Sequence, residues 1–159
     1  MTVTARDVMD TVFFTLRPGM SVAEAVKIFK LASEEQKSKS FGLLVTNDHS
    51  ELVGMVSMFD ILLLMRPKHI HIWGEMNDMD VGGFLDETCR RAKIVRVEDI
   101  MTTDLTSITP DTQLLFIVDI MIRKHMRRIP VLEDGKLVGI VYISKVFYYL
   151  MERSGCETT

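Results

Sequence analysis

Apolar positions recur along this chain in two periods, and both periods occur twice in the same order. Val22, Ala25, Val26 and Phe29 fall at helical spacing, and Leu114, Ile117, Val118 and Met121 repeat the stripe. Each stripe is followed by two short apolar runs around a polar tetrad. Phe41 to Thr46 and Leu52 to Val56 flank Asn47-Asp48-His49-Ser50, and Ile129 to Leu132 and Leu137 to Tyr142 flank Glu133-Asp134-Gly135-Lys136. Such runs around turn-forming residues read as paired strands. Helices are then expected from Met58 to Met65 and from about Ile143 to Met151. The first should stop at Arg66, because Pro67 clashes with a helical residue before it. Ser21-Val22-Ala23-Glu24 has the form of a capping box opening the first stripe, and Thr109-Pro110-Asp111 is expected to open the second.

The duplication extends to identities. Arg6-Asp7-Val8-Met9 returns as Glu98-Asp99-Ile100-Met101, and Leu16-Arg17-Pro18 as Ile108-Thr109-Pro110. Val53-Gly54-Met55-Val56-Ser57-Met58-Phe59-Asp60 returns as Val138-Gly139-Ile140-Val141-Tyr142-Ile143-Ser144-Lys145. The chain therefore divides into a first copy over 1–65, a connector over 66–96, a second copy over 97–153 and a tail over 154–159. The first copy's extra residues fall mostly in Ser33 to Ser40, an exposed kind of place where insertions are tolerated. The connector carries Gly82-Gly83, read as a flexible joint, and a helix expected from Phe84 to Ala92. A repeat of this kind implies a pseudo-symmetric α/β body with paired clefts. One difference bears on the clefts: the first copy's closing motif ends in Ser57 and Asp60, the second's in Tyr142 and Lys145.

Composition narrows the function classes. The 159 residues are 47% hydrophobic and 26% charged, as in an ordinary globular protein. A net charge of −3 argues against nucleic-acid binding, which needs a large basic field. Cys89 and Cys156 make neither a metal spacing nor a disulfide framework, and read as reduced thiols of a cytoplasmic protein. The polar start is no signal peptide, and the run Ile61 to Met65 is far too short to cross a bilayer, so no membrane partner is expected. Twelve methionines suggest adaptable packing or soft contact surfaces. No nucleophile-base pattern, reactive-cysteine context or carboxylate pair supports an enzyme. His69-x-His71 with Asp78 and Asp80 suits zinc by ligand type, yet has no second cluster, and fits a solvent or interface position better than a metal site.

At this point the motifs resemble a known family. Asp-h-Met, an extended piece closed by Pro, and a strand ending Gly-h-h-[Ser/Thr]-x-x-Asp before a helix look like a CBS domain, and Gly54 to Asp60 meets the last pattern in full. The second copy keeps Asp99-Ile100-Met101, Thr109-Pro110, Arg128-Ile129-Pro130-Val131 and Gly139-Ile140-Val141, but lacks the Ser/Thr and the Asp. The resemblance covers about four-fifths of the chain. It implies a tandem CBS pair, or Bateman module. Each half would be a short β-sheet with two packed helices, the halves related by pseudo-two-fold symmetry. Such pairs bind adenosine-containing ligands between halves and associate as flat homodimers.

The resemblance also implies site residues. Asp60 would accept hydrogen bonds from ribose hydroxyls, with Ser57 at the start of the same helix. Ser57-x-x-Asp60 is equally a capping box, and the two roles can coexist. Arg127 and Arg128 would reach phosphate in the cleft whose ribose Asp60 holds, guanidinium forks matching phosphate oxygens. Solvated helix-end cations are the competing reading of that basic run. Thr11, Val12, Lys39 and Ser40 would line an adenine slot. The other cleft would combine Lys145 with Ser40 and Phe41, lacking both carboxylate and arginine. Lys145 itself reads as a surface salt bridge or as a holder of phosphate or an acidic partner.

The expectation is thus a regulatory module, requiring no cofactor, that senses AMP, ADP or ATP and signals to an effector protein not encoded here. The alternatives are a ligand-free dimerisation or docking module and an S-adenosylmethionine binder.

Overall fold

The computed structural model describes residues 2–35, 41–66 and 81–155. In chain order the elements are α1 (Ala5–Val8), β1 (Thr15–Leu16), α2 (Val22–Glu35), β2 (Gly42–Thr46), β3 (Leu52–Ser57), α3 (Met58–Met65), α4 (Val81–Ile94), α5 (Val97–Ile100), α6 (Leu114–Lys124), β4 (Arg128–Glu133), β5 (Lys136–Tyr142) and α7 (Ile143–Ser154). The class is α/β, and the duplicated pattern of the sequence returns as a duplicated order of elements.

The chain forms two compact units, and they are not the two copies read straight off. Unit 1 comprises Met1–Phe13, His49–Leu52 and Leu105–Thr159; unit 2 comprises Phe14–Asp48 and Val53–Asp104. Each copy's opening segment thus packs with the other copy's helices and strands.

In unit 1, β4 and β5 pair antiparallel from Arg128↔Tyr142 to Glu133↔Lys136. Ile108 adds a parallel bridge to Val131 on one edge, and Asp10 an antiparallel bridge to Ile140 on the other. Val131, Val141, Ile129, Ile117, Met121 and Val146 form the core together with Ala5 and Val8 of the opening segment. In unit 2, β1 pairs parallel with β2 (Thr15↔Leu44, Leu16↔Val45), β3 lies beyond β2, and Thr102 bridges Met55. Its core is Leu16, Ala25, Phe29, Ala32, Leu43, Val45 and Val56, closed by Val97.

The shared form of the two opening motifs has a steric explanation inside each unit. A Cβ on Gly139 would lie 2.6 Å from Met9 Sδ and 3.1 Å from the Asp10 carbonyl oxygen. A Cβ on Gly54 would lie 2.6 Å from Met101 Sδ and 3.0 Å from the Thr102 carbonyl oxygen. The methionine of each Asp-h-Met motif covers a strand residue that must lack a side chain.

Three expectations need correction. Val26 is exposed and Ala32 is buried in its place, because α2 packs on residues 22, 25, 29 and 32. The helix after Pro110 begins only at Leu114; the carbonyls of Pro110 and Thr112 instead accept from Arg6 and Ala5 N–H groups, which holds that stretch as a turn. Gly82 and Gly83 belong to α4 and form no joint, since the connector helix starts at Val81. That helix packs along α2, and the Arg91 guanidinium donates to the Leu64 carbonyl at the end of α3.

Candidate functional site

Ser57 ends β3 in extended conformation and caps α3. Its hydroxyl accepts from the Asp60 backbone N–H at 3.2 Å, while Asp60 Oδ2 accepts from the Ser57 N–H at 2.7 Å and its hydroxyl at 2.9 Å. The capping reading is therefore realised, satisfying donors that a helix start leaves open. It commits one carboxylate oxygen; among the described residues, Oδ1 takes no hydrogen bond. Both side chains are half-buried, so Asp60 offers an acceptor held by a rigid turn.

Arg127 and Arg128 lie where α6 gives way to β4. His125 ends α6 in the left-handed conformation (φ 51°), and the chain reverses there. The Arg127 carbonyl then accepts from the Ile143 N–H at 2.9 Å, tying the start of β4 to the start of α7. Arg128 stands opposite Tyr142 and is half-buried, whereas Arg127 is exposed. Burial lowers the Arg128 pKa from its ordinary value; Tyr142 works against that shift and the adjacent Arg127 adds to it. Partial burial and the adjacent like charge both work against the charged form of that guanidinium.

The second copy's substitute for Asp60 behaves differently. Lys145 Nζ sits 3.0 Å from Asp10 Oδ1, an ion pair within unit 1 between α7 and the opening segment. The surface-salt-bridge reading of Lys145 is the one realised. Sequence reading did not supply its partner, although a signal was available. Asp10 follows Met9 where Thr102 follows Met101, so acid and base change together at the two equivalent positions.

Of the remaining candidates, Thr11 and Val12 are exposed in the opening segment of unit 1, which also holds Arg127 and Arg128, while Ser57 and Asp60 belong to unit 2. Lys39 and Ser40 lie outside the described residues, as do His69, His71, Asp78 and Asp80. Among the described residues no group of three His, Cys, Asp or Glu side chains could hold a metal ion, and no helix is long and apolar enough to cross a membrane.

Comparison with known proteins agrees with this fold. An uncharacterized protein of Methanocaldococcus jannaschii is 23% identical over 86% of this chain, which spans only 39% of that protein's length. An uncharacterized 17.7 kDa protein of Acidianus ambivalens is 27% identical over 89% of this chain and 70% of its own. Among solved structures, CBSX2, an Arabidopsis thaliana protein, in complex with AMP superimposes with a TM-score of 0.67 at 27% identity, covering 95% of this chain and 98% of that one. The CBS domain model matches residues 5–67 and again residues 97–152, and the chain belongs to the CBS domain family as a tandem pair.

Proposed function

We propose that this protein is a regulatory module that binds an adenine nucleotide, with Asp60 accepting a ribose hydroxyl and Arg127 and Arg128 meeting its phosphate. The observation that carries the reading is the asymmetry at the repeat's equivalent positions. Asp60 keeps a carboxylate oxygen available on a capped helix start, whereas Lys145 is a cation already paired with Asp10. One ribose acceptor per chain supports one ligand per chain. AMP is the first choice among AMP, ADP and ATP, since CBSX2 was solved with AMP. Thr11, Val12, Lys39 and Ser40 are proposed to line the adenine slot.

A homodimer is part of the same proposal. Seven of the eight residues of α3 are apolar and none is fully buried, with Phe59 78%, Leu62 65% and Leu63 62% exposed. The repeat-equivalent α7 exposes Phe147 and Tyr148 at the positions of Leu62 and Leu63. Like faces on equivalent helices suit the self-complementary contact of a two-fold pair. Ligand binding would favour one arrangement of the pair and pass it to an effector protein by differential affinity.

Sedimentation velocity at micromolar concentration tests the dimer: Leu62→Glu with Phe147→Glu should give a folded monomer. Wild type sedimenting as a monomer would remove this part of the proposal. A ligand-free docking module is the second reading, and the Asp10–Lys145 pair favours it, because it leaves one of the two equivalent positions with no acceptor for ribose. It requires that no adenosine compound, S-adenosylmethionine included, shift the melting temperature.

A further inference from the structure

Unit 1 contains an open groove of about 500 Å³ lined by Met121, Ile122, His125, Met126, Arg127 and Ile143. Its frame is backbone. The left-handed turn at His125 folds the chain back, with the His125 and Met126 N–H groups both donating to the Met121 carbonyl. The bond from Ile143 N–H to the Arg127 carbonyl fixes the facing wall. The groove is therefore held open by the fold itself, as ligand sites usually are.

Its chemistry differs from that of a nucleotide site. Four lining side chains are apolar, two of them methionines that adapt to varied shapes. The two polar ones, His125 and Arg127, are both nitrogen donors, and no acidic side chain lines the groove. Lys145, at the position equivalent to Asp60, is paired with Asp10, so unit 1 has no carboxylate at the position where unit 2 offers one to ribose. We infer that this groove binds a small amphipathic anion, a carboxylate on an apolar aryl or alkyl body, with the body on Met121, Ile122, Met126 and Ile143 and the carboxylate on Arg127 and His125.

Arg127 is shared with the nucleotide reading, so the experiment is run on wild type and on Asp60→Ala, in which the proposed nucleotide binding should be weakened. Protein carrying ¹³C-methyl methionine is titrated with 4-phenylbutyrate and with the neutral 4-phenylbutan-1-ol, and the methyl signals are assigned by Met121→Leu and Met126→Leu. In both backgrounds the Met121 and Met126 methyls should shift saturably while those of Met55 and Met101 stay. The acid should bind roughly tenfold more tightly than the alcohol, the scale of one charge-assisted hydrogen bond. Ile143→Trp, which fills the groove, should abolish the shifts. Ile122→Glu, at an exposed helix position, should weaken the acid more than the alcohol and serves if the tryptophan variant misfolds. Absence of saturation, equal affinity for acid and alcohol, or shifts spread over all methionines would overturn the inference.

Discussion

Replacing Gly139 by alanine probes the exchange of opening segments, because its added methyl would meet a residue 130 positions away in sequence, Met9. The new Cβ lies 2.6 Å from Met9 Sδ, 3.0 Å from its Cγ and 3.1 Å from the Asp10 carbonyl oxygen. Carbon and sulfur need roughly the 3.5–4.0 Å of an ordinary nonbonded contact, so the thioether must move by about 1 Å. The carbonyl has less room, since it accepts the Ile140 N–H at 2.9 Å. Overpacking of this kind costs about 1–3 kcal/mol. The unfolded chain's lost freedom offsets about 0.4–1 kcal/mol, which leaves a net loss of about 0–2.6 kcal/mol, about 1.3 kcal/mol at the middle of both ranges. Urea denaturation followed by circular dichroism should show a lowered midpoint with an unchanged slope. The decisive variant is the double substitution with Met9→Ala. Removing the thioether relieves the clash, so the two losses should fall short of additive by about 1 kcal/mol. Additive losses would refute the packing of the opening segment on β5.

Four further outcomes are expected. Ser57→Ala should cost about 1 kcal/mol by loss of the cap, read as a lower thermal midpoint without ligand. Arg128→Met should lower AMP affinity in calorimetry, because the phosphate loses its guanidinium fork. Asp10→Asn breaks an exposed ion pair and should cost only about 0.2–1 kcal/mol, an effect that fades in high salt. The Glu87 carboxyl, held down to about 2 chiefly by its hydrogen bond to Arg90 and further by Arg91, should titrate near that value by NMR. Because its pKa is lowered, its contribution is present above its ordinary value and is lost as pH falls towards 2; a titration midpoint near 4.5, the ordinary carboxylate value, would contradict the pairing.

The duplicated order of elements was legible because periodicity and turn chemistry are local properties. The stripe at Leu114, Ile117 and Met121 and the helix ending before Pro67 needed only neighbours within a few residues. What sequence reading missed is non-local. Nothing near Thr109-Pro110-Asp111 says that residues 5 and 6 will occupy its carbonyls and delay α6. The packing of Met9 on Gly139 and the pairing of Asp10 with Lys145 likewise join the two ends of the chain. At the site, Ser57 and Asp60 were readable as one turn because they are three residues apart. Arg128 stands across the sheet from Tyr142, a pairing that spacing alone does not report.

Titration calorimetry of AMP against wild type and Asp60→Ala bears most directly on the nucleotide reading, with 2′,3′-dideoxy-AMP as a second ligand. Wild type should bind one AMP per chain, and affinity should fall at least about tenfold on removal either of the carboxylate or of the two hydroxyls. The two losses should not add, because each deletes the same hydrogen bonds. Equal binding of AMP by wild type and Asp60→Ala, or no heat from either, would contradict ribose recognition by Asp60.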